Sequence, residues 1–284
     1  MRESSNPVFR SLPKTQGGYA TFGTGAAGYG AQQMQAEPYT TQYPQQTGVS
    51  RPMTIDDVVT KTGITLAVLS AVAVVSYFLV GMNPGLAGPL TFIGAIGGLV
   101  MVLIATFGRK QDNPAIVLTY AGLEGLFLGA ISWLFGNVVV AGGNAGALIT
   151  QALLATFGVF FGMLVVYKTG AIRVTPKFTR MIVAGLFGVV VLMLGNFVLA
   201  MFGVGVGGGE GMGLRSGGTI AIIFSLVCIG LAAFSFLIDF DSADQMIRAG
   251  APEKAAWGVA LGLTVTLVWL YIEILRLLSY FQND

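Results

Sequence analysis

The sequence predicts an all-α polytopic membrane protein, a seven-transmembrane-helix bundle behind a disordered N-terminal tail. Three observations predict it. Of the 284 residues, 54% are hydrophobic and only 10% charged, where a soluble domain carries about 25% charged residues. Mean hydropathy is +0.77. After a long polar opening, seven apolar runs follow one another, each close to the ~20 residues that cross a hydrocarbon core.

Composition also narrows the chemistry. The net charge is only +2 with the basic residues dispersed, which gives no case for nucleic acid. Histidine is absent, so imidazole bases, His-ligated zinc and a Ser-His-Asp triad are excluded. The one cysteine, Cys228, lies in an apolar run and reads as a packing residue. No HExxH, GxSxG or GxGD element occurs, which argues against known intramembrane protease chemistries. The chain is expected to be neither an enzyme nor the holder of a resident cofactor.

Two regions are expected, a disordered cytoplasmic tail over 1–52 and the membrane domain over 53–284. Residues 1–50 are rich in Gly, Gln, Ser, Thr and Tyr, with prolines at 7, 13, 38 and 44. Such a segment cannot bury enough apolar surface to offset chain entropy. Met53–Lys61 reads as a short amphipathic helix on the membrane surface, with Thr54 as N-cap and Asp56 and Asp57 in the first turn.

The seven runs lie at about 63–82, 87–107, 115–136, 146–167, 179–202, 217–238 and 255–280. Turn residues punctuate them: Asn83-Pro84-Gly85, Asp112-Asn113-Pro114, Gly142-Gly143-Asn144, Thr175-Pro176, the glycine-rich stretch Gly203–Gly213 and Gly250-Ala251-Pro252. Glu273 and Arg276 interrupt the seventh run, which could span or re-enter. Gly125–Gly129 and Gly258–Gly262 have the small-xxx-small spacing that lets helix backbones approach. Of the fifteen basic residues, all but Arg215 and Arg276 fall in the tail or in even-numbered connections. The positive-inside rule then places the N-terminus in the cytoplasm.

Acids inside or at the lip of such a bundle are functional candidates, because each needs water, a cation, a proton or a basic partner. The stretch Phe236–Met246 places Asp239, Asp241 and Asp244 directly after the sixth apolar run. If that stretch is helical, Asp239 and Asp241 point roughly 200° apart, so one serves a site while the other faces elsewhere. Glu124 lies ten residues into its run, at about 15 Å depth, near the bilayer midplane. Glu273 and Arg276 are three apart on one helical face and can pair; Arg276 could equally reach Glu124 or Asp241. Asp241, Asp239, Asp244 and Glu124 are thus the candidate cation ligands, with Glu273 and Arg276 as a gate or ion pair. Carboxylates as close as the three aspartates oppose one another's charge, so cation binding is expected to weaken on acidification.

This pattern resembles the Bax inhibitor / YccA-like family, also called the transmembrane Bax inhibitor motif family, over about residues 55–284. The resemblance rests on Glu124-Gly125-Leu126-Phe127-Leu128-Gly129, on Asp241-Ser242 closing the sixth run, and on Ile274-Leu275-Arg276-Leu277-Leu278. The opening Ser5-Asn6-Pro7-Val8-Phe9-Arg10-Ser11-Leu12-Pro13 looks like the tail of actinobacterial members, and that resemblance implies the plasma membrane of a bacterium as the expected location. The resemblance implies six helices wrapped around a central seventh, and a pH-sensitive calcium leak controlled by one aspartate closing the sixth helix and one in the seventh. Asp241 matches the first; at the second, this chain has Thr264–Thr266 and no acid. The other function the resemblance implies is a non-conducting scaffold that modulates a membrane protease such as FtsH, or a stress response. The expected partners are therefore the lipid bilayer and such a protease, with calcium as the passing or bound ion.

Overall fold

The computed structural model describes residues 51–140, 144–205 and 211–282. The expected disorder of residues 1–50 lies outside the described residues, as do residues 206–210 in the middle of the glycine-rich stretch Gly203–Gly213. Seven long helices run in order: α1 Ile55–Met82, α2 Ala87–Phe107, α3 Pro114–Leu134, α4 Ala145–Thr169, α5 Pro176–Met201, α6 Thr219–Arg248 and α7 Ala256–Gln282. A π-helical turn, Phe135–Val139, prolongs α3. All seven are long and apolar enough to cross a membrane.

Local sequence sets most of the starts. The side chains of Thr54, Asn113, Asn144 and Thr175 each accept a backbone N–H of the first turn, which satisfies donors that a helix leaves unpaired. Proline follows directly at 114 and 176, where its missing N–H costs nothing. Gly170 ends α4 in the left-handed region, at φ 68°, a conformation that a Cβ opposes.

Two expectations are corrected. The surface helix over Met53–Lys61 is the start of α1 itself: Thr54 and Asp57 form a capping box, and the helix continues unbroken to Met82. Thr54 caps the helix as expected, but nothing between Lys61 and Gly63 breaks the backbone ladder. The sixth helix does not close at the acids. It runs to Arg248, so Asp239, Asp241 and Asp244 stand within its last three turns and not after its end. Helix α7 is continuous across Glu273 and Arg276, long enough to span.

Helix α7 is the axis of the bundle. It packs against α1, α3, α4 and α6, and Ala260, Leu270 and Leu275 are fully buried along it. Helix α2 lies on α3, and α5 lies chiefly on α6. The outer helices turn large apolar residues outward, among them Phe92, Phe107, Phe161, Phe187 and Phe197, as a lipid-facing surface requires. Close approach of α1 and α3 uses the expected glycines. A Cβ on Gly125 would lie 2.6 Å from the Leu69 carbonyl oxygen, and one on Gly129 would meet the Ala73 carbonyl oxygen.

One end of the bundle is clasped by polar groups. The Met53 N–H donates to the Ala251 carbonyl at 2.8 Å, and the Glu253 N–H to the Arg51 carbonyl at 3.0 Å. Arg51, a residue of the expected tail, is thereby held against the α6–α7 connection. Its guanidinium meets both Asp57 and Glu253, and the bond to Asp57 raises its already high pKa. The Lys61 ammonium donates to the Glu253 backbone carbonyl at 2.7 Å. On the other side Lys254 meets Asp112 of the α2–α3 connection at 2.9 Å.

Candidate functional site

The six candidate residues do not gather at one place. Asp239 and Asp241 diverge as the helical step requires. The Asp241 carboxylate accepts from Gln245 Nε2 at 2.6 Å, and Asp244 pairs with Arg248 one turn on, at 2.7 Å. The Tyr167 hydroxyl of α4 lies between these two acids, at long distances of 3.5 and 3.4 Å. Asp239 faces α7, where Thr266 Oγ1 donates to its carboxylate at 2.8 Å. Of the stretch Thr264–Thr266, where the resemblance sets a second acid, Thr266 thus meets Asp239, not Asp241, and Thr264 donates to the Ala260 carbonyl. Among the described residues, no three acidic or cysteine side chains converge as a metal-holding group.

Asp239 borders a cavity of about 390 Å³ that reaches it from the clasped end of the bundle. Arg109 and Asp112 of the α2–α3 connection, Ser242 of α6, and Gly258 and Gly262 of α7 contribute to its wall. The two glycines explain part of the space. A Cβ on Gly258 would touch the Gln111 side chain at 3.3 Å, while one on Gly262 would meet nothing within 4 Å. Their small-xxx-small spacing thus opens a cleft here instead of closing a helix contact. Arg109 holds a positive φ of 51° without being glycine, a conformation uncommon for such a residue, at the turn that forms this wall. The arrangement offers the Asp239 carboxylate, a second one at Asp112 that is paired with Lys254, and hydroxyls, a border of mixed charge.

Glu124 lies apart, buried between α3 and α2, with 9% of its surface exposed. Its Oε2 carries no hydrogen bond, and its carboxyl lies against the bare backbone of Gly98, whose Cβ would collide with it. Arg276 reaches neither Glu124 nor Asp241.

Glu273 and Arg276 do pair, at 3.0 Å, but the pair has a third member that sequence reasoning missed. Arg215, from the connection before α6, grips Glu273 with both terminal nitrogens, at 3.1 and 3.0 Å. Its guanidinium lies 5.3 Å from the Phe224 ring centre. Two arginines therefore close on one carboxylate that is 2% exposed. The signal was present: Arg215 is one of the two basic residues outside the tail and the even-numbered connections.

The family model described as "Bax inhibitor 1 like" matches residues 6–283. The chain belongs to the Bax inhibitor 1 like family. Direct comparison with curated proteins finds no match. Membership agrees with the helical membrane architecture. Within this Bax inhibitor 1 like chain, the cleft at Asp239 is the place where a carboxylate, open space and polar walls coincide.

Proposed function

We propose that the chain is a cation leak of the bacterial plasma membrane, with calcium as the ion and protons as its competitors. The observation that carries the reading is the cleft at Asp239, which brings water-sized space from the clasped end to a carboxylate well inside the helical bundle. Calcium takes oxygen ligands in flexible sets, and the Asp239 carboxylate with nearby hydroxyls and water is such a set. Proton and cation compete for the same carboxylate oxygens, so occupancy by calcium falls as pH falls. Asp241 and Asp244, with the Tyr167 hydroxyl between them and Arg248 paired to Asp244 alone, stand on another face of α6 and support the helix end from there.

Calcium flux in liposomes containing the purified chain tests this. Asp239→Asn keeps the side-chain shape and is expected to reduce calcium flux by at least tenfold and to flatten its pH response. Asp241→Asn is expected to change flux less than threefold. Flux through Asp239→Asn equal to that of the wild type would leave the cleft without a transport role, and the protease-modulating scaffold would then be the better reading.

The orientation follows from charge. Because the positive-inside rule puts the clasped end in the cytoplasm, single cysteines at Asn144 or Ser216 in a Cys228→Ser background should react with a membrane-impermeant thiol reagent on intact cells. One at Thr175 should not. Labelling at Thr175 alone would invert the protein.

A further inference from the structure

Helices α5 and α6 enclose a second cavity, of about 640 Å³, on the outside of the bundle. Met181, Gly185, Gly188 and Leu192 of α5 line one side, with Ile223 and Val227 among the residues of α6 on the other. Met181 is 61% exposed and Val227 51%, so the cavity is an open groove facing the lipid. From Met181 to Leu192 it runs roughly 16 Å at 1.5 Å rise per residue. That is about the depth of one leaflet of a ~30 Å hydrocarbon core. Gly188 leaves it deep, since no atom lies within 4 Å of where its Cβ would be.

One end of the groove is cationic. Lys177 stands one turn before Met181 and on the same side of α5, because residues four apart share a helix face. Arg173 precedes the helix and Arg180 flanks the stripe. At this end Phe178 packs edge-on against Phe234, with ring centres 5.9 Å apart, which fixes the two helices together. Among the described residues Lys168, Arg173, Lys177 and Arg180 meet no carboxylate, nor do Arg109 and Lys110 of the α2–α3 connection, whereas Arg51, Lys61, Arg215, Arg248, Lys254 and Arg276 all do. An apolar slot of leaflet depth, ending at unpaired cations, is complementary to a chain that carries a negative head.

We infer that the α5–α6 groove binds one acyl chain of an anionic phospholipid, whose phosphate is held by Lys177 and Arg180. The slot fixes the chain by shape, and the cations select the head by charge.

The full chain, purified in detergent and examined by native mass spectrometry with added phosphatidylglycerol or phosphatidylcholine, tests the assignment. The wild type is expected to retain one phosphatidylglycerol about tenfold more than phosphatidylcholine, in line with the worth of each cation near an anionic head. Gly188→Phe puts a ring into the slot and should retain neither lipid. The double variant Lys177→Gln, Arg180→Gln should retain both lipids about equally. If Gly188→Phe fails to fold, Val227→Trp obstructs the slot from its other wall and is read the same way. Wild-type retention by the obstructed variant, or an unchanged preference in the double variant, overturns the site. So does a wild-type dimer that the obstructing substitution converts to monomer, since the groove would then hold a second copy of the chain.

Discussion

Replacing Glu273 with glutamine is expected to destabilise the bundle by about 3–5 kcal/mol, the cost of leaving one partner of a buried ion pair unanswered. Glu273 is 2% exposed and accepts from both Arg215 and Arg276. Without its charge, two guanidiniums lie close together in a low-dielectric setting with no counter-charge between them. At roughly 2–4 °C per kcal/mol for a chain of this size, the melting temperature in detergent should fall by about 10 °C. Arg215→Ala should lose nearly as much, because it also removes the contact with Phe224. The Glu273→Leu, Arg215→Met double variant should recover part of the loss, since removing both partners leaves fewer unsatisfied groups. Wild-type melting of Glu273→Gln would show that the three side chains do not form one unit.

Gly129→Val should be as damaging, for a steric reason. A Cβ there meets the Ala73 carbonyl and would lie 2.8 Å from the Tyr77 backbone nitrogen. Neither atom can move unless α1 parts from α3. Overpacking commonly costs about 1–3 kcal/mol where side chains can adjust, so a backbone clash is expected to reach or exceed the upper figure. Gly162→Val is the control. It lies mid-helix in α4, and no atom is within 4 Å of its Cβ position, so a small change is expected. Equal melting of the two variants would mean that α1 and α3 are not packed as closely as described.

The helices were legible because an apolar run of about twenty residues leaves few alternatives, and the cap of α1 because Thr54 is a local signal, whereas Asp112 offered itself for α3 and the structure uses its neighbour Asn113. The end of α6 was not. Hydropathy drops at Asp239, but hydropathy reports where the surroundings change and not where the hydrogen-bond ladder stops. Asp-Ser-Ala-Asp-Gln-Met-Ile-Arg holds no proline or glycine until Gly250, so the helix continues. The divergence of Asp239 from Asp241 followed from the 100° helical step alone. Their partners did not: Thr266 is 27 residues from Asp239, and Arg215 is 58 from Glu273. Such pairs come from which helices touch, and a single sequence does not record that. Gly258 and Gly262 show the same limit, since one spacing serves contact in α3 and leaves open space in α7.

The clasp at the charged end has a consequence for how the molecule is made. Lys61 and the Glu253 carbonyl that it meets are separated by 192 residues, and Met53 is held by Ala251. Helix α1 therefore leaves the ribosome with an ammonium whose acceptor is synthesised 192 residues later. Until then Lys61 must stay wet, and α1 cannot settle fully into its final seat. Bonds that span so much of the chain form late. The bundle thus closes as a ring is closed, with the last connection locking the first helix, and a chain cut short before α7 holds a first helix that is still unfastened.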